Sequence, residues 1–252
     1  MYEPNPVTAA ALASGEPHFR DVGVGPWESE HPGEVRPDDP SSPLYVPGRW
    51  DADLLTNGDT RNVLDRYRYW TIEAIRADLD ARGRHGFDVA IENWTHDFNI
   101  GSIVRSANAF GAGHVHIVGP HKWNKKGSLM TQVYEHVDYW PIISDLVTAL
   151  RRDQPGKRII ALDNVPGSVA IETYHFPQNC LLVFGAEGPG LTKKALELAD
   201  DVVYISQFGS VRSINAGAAA AVAMHAWIAQ NAGIGTAGGE RGQQSPRVTF
   251  DK

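Results

Sequence analysis

A chain of 252 residues with 42% hydrophobic and 21% charged side chains can bury one full core, or form one domain that carries an arm. No run approaches the roughly 18 apolar residues of a membrane span, and a single cysteine, Cys180, excludes an internal disulfide and a cysteine-rich zinc site. The net charge of −7 argues against a polyanionic partner until it is divided: residues 1–60 hold 11 acidic and 3 basic side chains, residues 61–252 hold 19 and 20, so the larger part is free to carry a basic face.

The first fifteen residues lack the basic and apolar regions of a secretory signal, and with the lone cysteine this predicts a reducing, cytoplasmic setting. Residues 1–60 are punctuated by proline and glycine and show no helical or alternating period, so they read as an extended acidic arm. Trp27, Tyr45 and Trp50 are more aromatics than a free linker carries and would dock that arm on the domain. Residues 61–86 read as an N-terminal helical unit, with Val63, Leu64, Tyr67, Trp70, Ile72, Ile75 and Leu79 on one broad apolar face over 62–81.

A domain over 87–231 follows. Strands are predicted over 87–91, 114–118, 158–162, 181–184 and 202–205, each a short, nearly continuous apolar run. Helices are predicted over 141–152 and, rich in alanine, over 213–230. Such runs separated by helices describe an α/β fold, a mostly parallel sheet with helices on both faces. Between the first two strands, Ile100, Ile103, Val104 and Ala107 make one apolar stripe, and Asn99 is suited to cap that helix with its side-chain oxygen. Arg105 lies in it with no acid three or four residues away, as a solvated surface arginine or as a functional cation. Residues 119–127 form a polar loop with His121, Lys122, Lys125 and Lys126. The tail over 232–252 reads as mobile.

Two glycine-rich turns invite nucleotide-binding readings, and both fail. Gly111-Ala112-Gly113 has no third glycine at His116 and stands between a helix and a strand, the reverse of a dinucleotide fingerprint. Gly185-Ala186-Glu187-Gly188-Pro189-Gly190 has Leu191 where a P-loop needs lysine. It does leave the end of a strand, where open α/β sheets bind ligands, and it reads either as that or as a tight entry into the next helix. A third segment, 205–217, leaves another strand end and brings Ser213 and Asn215 to a helix start, as caps or as anion ligands. His114 and His116 share a strand face but lack a third ligand nearby, and no metal is expected.

Three segments in this order resemble the SpoU/TrmH-like RNA ribose 2′-O-methyltransferases of the SPOUT superfamily. Asn99, Gly101, Arg105 and Gly111 match the first family motif. Gly185, Glu187, Gly188, Gly190 and Leu191 match the second, with Ala186 in place of the usual asparagine. Ile205, Gly209, Ser213 and Asn215 match the third, from which Ser206, Gln207 and Ile214 depart. The likeness covers residues 87–230. The resemblance implies a C-terminal trefoil-knotted methyltransferase domain, a homodimer, and S-adenosylmethionine as co-substrate held around Phe184, Gly185, Gly190, Ile205, Gln207 and Ile214. It further implies methyl transfer to a ribose 2′-hydroxyl of structured RNA, tRNA in preference to rRNA, with Arg105, Asn99, Glu187, Ser213 and Asn215 as the catalytic group. A guanidinium stays protonated, so Arg105 is expected to hold a phosphate and stabilise developing charge on oxygen rather than act as a base. Lys122, Lys125, Lys126 and Arg212 are candidate RNA contacts, or solvated loop charges. A catalytically silent RNA-binding module and methylation of a base atom remain as alternatives.

Overall fold

The computed structural model describes residues 5–16, 22–95 and 99–233. The tail from 234 onward, read above as mobile, lies outside the described residues, as do His96, Asp97 and Phe98. In chain order the elements are α1 (Pro6–Ala13), α2 (Trp27–Glu30), α3 (Ala52–Asn57), α4 (Ile72–Arg82), β1 (Phe87–Glu92), α5 (Ile100–Ala109), β2 (Val115–Val118), β3 (Val137–Trp140), α6 (Ile143–Asp153), β4 (Arg158–Leu162), β5 (Val169–Ala170), β6 (Cys180–Phe184), α7 (Lys193–Leu198), β7 (Asp201–Tyr204) and α8 (Ala216–Asn231). Short 3-10 turns occupy Asp65–Tyr67, Lys125–Ser128 and Thr131–Val133.

The seven strands form one wholly parallel sheet in the order β3-β2-β1-β6-β4-β7-β5. Alternation across the pleat divides the core in two. Phe87, Val89 and Ile91 of β1, with Cys180, Leu182 and Phe184 of β6, face α5 and α8. Ala90, Leu181 and Val183 face α6 and α7 on the other side. Both faces are therefore covered, which is why these strands read as unbroken apolar runs. The predicted stripe of α5 is fully buried, and α8 adds Ala220, Ala223, Met224 and Trp227 to the same layer. No helix among the described residues is long and apolar enough to cross a membrane.

Several expectations are corrected. The helix read over 62–81 is a 3-10 turn followed by α4, because Tyr69 takes a left-handed conformation (φ 62°) between them. Its amide donates to the buried Asp59 carboxylate (3.0 Å) and its hydroxyl to the Gly25 carbonyl (2.6 Å), so distant contacts override a continuous apolar face. Residues before 60 are not one extended arm. They contain α1 to α3, and Trp27 packs edge-on to Tyr69 and Trp50, while Tyr45 is exposed. This layer continues through Tyr67 and Ile75 onto Tyr134. The last helix starts at Ala216 instead of 213, because the Asn215 side chain accepts from the Ala218 amide and caps it there. Ser213 stays in the loop before it. The edge strands β3 and β5 and the short helix α7 complete the sheet's surroundings.

Candidate functional site

The carboxyl ends of β4, β6 and β7 open into a cleft of about 350 Å³. Its walls are the turn after β6 and the loop between β7 and α8. Phe184, Gly185, Gly190, Ile205, Gln207 and Ile214, the predicted cofactor residues, all line it, as do Glu187, Arg212, Ser213 and Asn215. A Cβ on Gly185 would strike the backbone of Gly190, so the turn can fold back against its strand end because glycine stands there. Gly190 itself has φ +72°, and its amide closes the turn onto the Ala186 carbonyl (3.0 Å). Ala186 is buried, and the turn is made by main chain without the amide side chain that the family pattern has there.

Three of the predicted catalytic residues are joined by hydrogen bonds. Asn99 Nδ2 donates to Glu187 Oε2 at 2.6 Å across 88 positions of sequence, and Asn215 Nδ2 donates to Asn99 Oδ1 at 2.7 Å across 116. Asn215 Oδ1 in turn accepts from the Ala218 amide at 3.1 Å. The direction of this chain is set at both ends, by a carboxylate that accepts and a backbone amide that donates. Asn99 consequently makes no side-chain cap on α5, contrary to expectation: Asn215 occupies the oxygen that the first turn would have used. Gly217 belongs to the same junction, since a Cβ there would stand 3.3 Å from Ser102 Cβ and 3.6 Å from Asn99 Oδ1.

Arg105 is exposed two turns further along α5, does not line the cleft, and has no hydrogen bond or ion pair among the described residues. Ser213 lines the cleft without bonding to Asn99 or Glu187. Lys122, Lys125 and Lys126 are exposed, lie outside the cleft wall, and pair with no acid among the described residues. Gly101 brings their loop to α5, because a Cβ there would meet the backbone of Gly127 and Ser128 at 2.9 Å. His114 and His116 stack on one strand face, at 5.8 Å between ring centres, and His114 bonds to Asp138.

Sequence reasoning missed two acids that hold the cleft's turn. Glu92, fully buried at the end of β1, accepts from the Thr192 amide (2.7 Å) and the Thr192 hydroxyl (2.8 Å). Asp163, directly after β4, accepts from the Leu191 amide at 3.0 Å. A signal was present: an acid closes or follows each of the apolar runs of β1, β4 and β6.

The sequence model of the SpoU rRNA Methylase family matches residues 86–225, which includes the cleft, α5 and the lysine loop. The chain belongs to this family. Among SpoU relatives, the tRNA (guanosine(18)-2′-O)-methyltransferase of Escherichia coli (strain K12) is 26% identical over 151 residues, 59% of this chain and 65% of that one. An uncharacterized tRNA/rRNA methyltransferase of Mycobacterium leprae (strain TN) is 30% identical over 54% of this chain and 45% of its own length. The chain thus spans under two thirds of the length of these curated relatives. The crystal structure of the SpoU methyltransferase AviRb from Streptomyces viridochromogenes in complex with AdoMet matches with a TM-score of 0.52 at 27% identity, over 58% of each chain. The A. aeolicus TrmH/SpoU tRNA modifying enzyme matches in fold, with a TM-score of 0.56 at 19% identity over 63% of this chain and 81% of that one. The first 85 residues lie outside the SpoU match.

Proposed function

We propose that this SpoU protein transfers a methyl group from S-adenosylmethionine to a ribose 2′-hydroxyl of structured RNA, with tRNA as the first substrate to test. The observation that carries this is the bonded chain Glu187–Asn99–Asn215, which ties three distant segments together beside a cleft at the strand ends. The cleft suits a nucleoside-bearing co-substrate. Gln207 Oε1 lines it as a buried acceptor with no partner among the described residues, and so could take a donor such as an exocyclic amine. Glu92 and Asp163 hold the turn over 185–191 from behind. AviRb, at 27% identity, binds AdoMet, and the E. coli relative acts on a tRNA ribose by its name.

S-Adenosylmethionine would supply an activated methyl on sulfonium, so the chain's own work is to position the 2′ oxygen and ease the loss of its proton. Glu187, held by Asn99, and Asn215 and Ser213 at the cleft wall orient the ribose. Arg105, a cation with no internal partner, holds a substrate phosphate and stabilises charge developing on the 2′ oxygen. Lys122, Lys125, Lys126 and Arg212 bind the RNA backbone. Residues 87–231 form the catalytic unit in this reading, with a trefoil knot around the cleft, a homodimer and a cytoplasmic location. Phe208 is 98% exposed and Val211 is exposed in the same loop before α8, apolar surface that supports the dimer; light scattering in solution tests it.

Methyl incorporation from labelled S-adenosylmethionine into total tRNA and rRNA, followed by nuclease digestion and mass spectrometry, tests the assignment. A 2′-O-methylated nucleoside is expected. A methylated base, or neither methyl transfer nor cofactor binding by calorimetry, overturns it. Arg105→Ala should lower turnover about 100- to 1000-fold, the usual loss for one preorganised donor, with cofactor affinity unchanged. Methylation at the wild-type rate removes Arg105 from the mechanism.

A further inference from the structure

Six of the seven indoles are drawn inward: Trp27, Trp123 and Trp227 are buried, and Trp50, Trp70 and Trp140 are half-buried. Trp94 is different. It stands two residues past the end of β1, in the middle of the sheet and on its ligand-binding side, with 38% of its surface exposed. Its ring is not loose. The indole Nε1 donates to Glu92 Oε1 at 3.3 Å, and the same oxygen accepts from the Thr192 hydroxyl. Trp94 and the turn that closes the cleft therefore share one acceptor atom and lie within a few ångströms of each other. On its other side, Asn93 Nδ2 donates to the carbonyl of His121 at 2.5 Å, which fixes the start of the loop carrying Lys122, Lys125 and Lys126. Those three lysines are exposed and unpaired among the described residues.

With its N–H satisfied by Glu92, what the part-exposed indole has left to offer a ligand is its π-system. The loop anchored through the neighbouring Asn93 carries cations without partners among the described residues. Single-stranded nucleic acid is bound by this combination, an aromatic face for the base and positive charge for the adjoining backbone. An acidic peptide would use the lysines but leave the ring without a purpose, and an apolar partner would not be drawn to three ammonium groups. We propose that Trp94 is a stacking platform for an unpaired base of the RNA substrate next to the target ribose. Glu92 is the positioning residue that sets the ring's angle and the cleft's turn together. The proposal rests on the RNA-methyltransferase reading and adds to it a residue that selects substrate by base exposure.

The test uses full-length protein and unfractionated tRNA. Trp94→Ala should weaken tRNA binding about 5- to 100-fold, the range for loss of one base–aromatic stack. It should raise KM for tRNA correspondingly, with kcat at saturating tRNA within about twofold and S-adenosylmethionine affinity unchanged. Trp94→Phe keeps a ring and should stay close to wild type. Trp94→Leu keeps apolar bulk without a π-face and should behave as the alanine variant; it is the variant to read if alanine lowers the melting temperature. Part of the tryptophan quenching on tRNA addition should vanish in Trp94→Phe. Equal tRNA affinity in wild type and Trp94→Leu overturns the stacking role while leaving methyl transfer intact. Absence of both tRNA binding and methyl transfer in the wild type overturns the function itself, and the stacking with it.

Discussion

The Asn99 side chain gives its amide hydrogen to Glu187 and its oxygen to Asn215, so an aspartate there would set two carboxylates at hydrogen-bond distance. Two carboxylates that close repel each other, and the amide hydrogen that joined them is gone. Asn99→Asp is therefore expected to break the chain Glu187–Asn99–Asn215 and to lower turnover about tenfold or more. Steady-state kinetics beside circular dichroism decide it, and wild-type turnover in a folded variant counts against the link. At this scale the sequence showed residue types and little of their partners. Asn99 was readable as a capping residue because caps are local. That Asn215 would claim its oxygen depends on a fold-back across 116 positions, which no local pattern encodes. Glu92 was overlooked because a carboxylate at the end of an apolar strand looks solvated until Thr192 is brought onto it.

Between the lysine turn and β3, the segment over 131–136 joins three elements. Glu135 accepts from Arg84 beyond α4 (3.0 Å) and from Asn108 of α5 (2.7 Å), and it is almost wholly buried. Burial pushes its carboxyl up from 4.5 to about 7, against the pull of the Arg84 guanidinium and the Asn108 amide. The folded protein then holds this proton more tightly than the unfolded chain does. Stability from this group is complete below about 4.5 and is lost as the pH rises towards about 7. Glu135→Gln, which carries no titrating proton, should flatten that part of the curve: melting temperatures measured from about pH 5 to about pH 7.5 should fall less in the variant than in the wild type. Identical slopes would falsify the assignment. Element by element, legibility followed burial. β1, β4 and β6 are covered on both faces and announce themselves as apolar runs. β3 is an edge strand of Val137, Asp138, Tyr139 and Trp140, partly exposed and too short to show a period. The break before α4 was invisible because the apolar face continues across it, whereas the left-handed Tyr69 that makes the break is imposed by Asp59.

In the whole molecule, the layer before β1 reaches the functional loops by a continuous route. Asp59 is fully buried; it binds Arg61 through both oxygens, at 2.9 and 2.7 Å, and accepts from the Tyr69 amide. Tyr67 and Ile75 then pack on Tyr134, and the turns at 125–133 pack on α5, which begins just after Asn99. The acidic character of residues 1–60 thus has a structural use at one point at least, since Asp59 holds the chain bend on which the layer depends. The charge imbalance was plain in the composition, but which acid mattered was not, because burial separates Asp59 from its exposed neighbours. Asp59→Ala leaves a guanidinium and an amide without their acceptor in a dry environment, and a broken buried pair of this kind costs about 3–5 kcal/mol. If the layer braces the lysine turn, this variant should lose tRNA affinity along with thermal stability, while S-adenosylmethionine affinity, set by the 185–191 and 205–215 segments, should persist below the lowered melting temperature. Arg61→Ala, which removes the buried carboxylate's ion-pair partner, should repeat the pattern. Loss of stability with tRNA affinity unchanged would mean that the layer folds beside the methyltransferase domain without serving it.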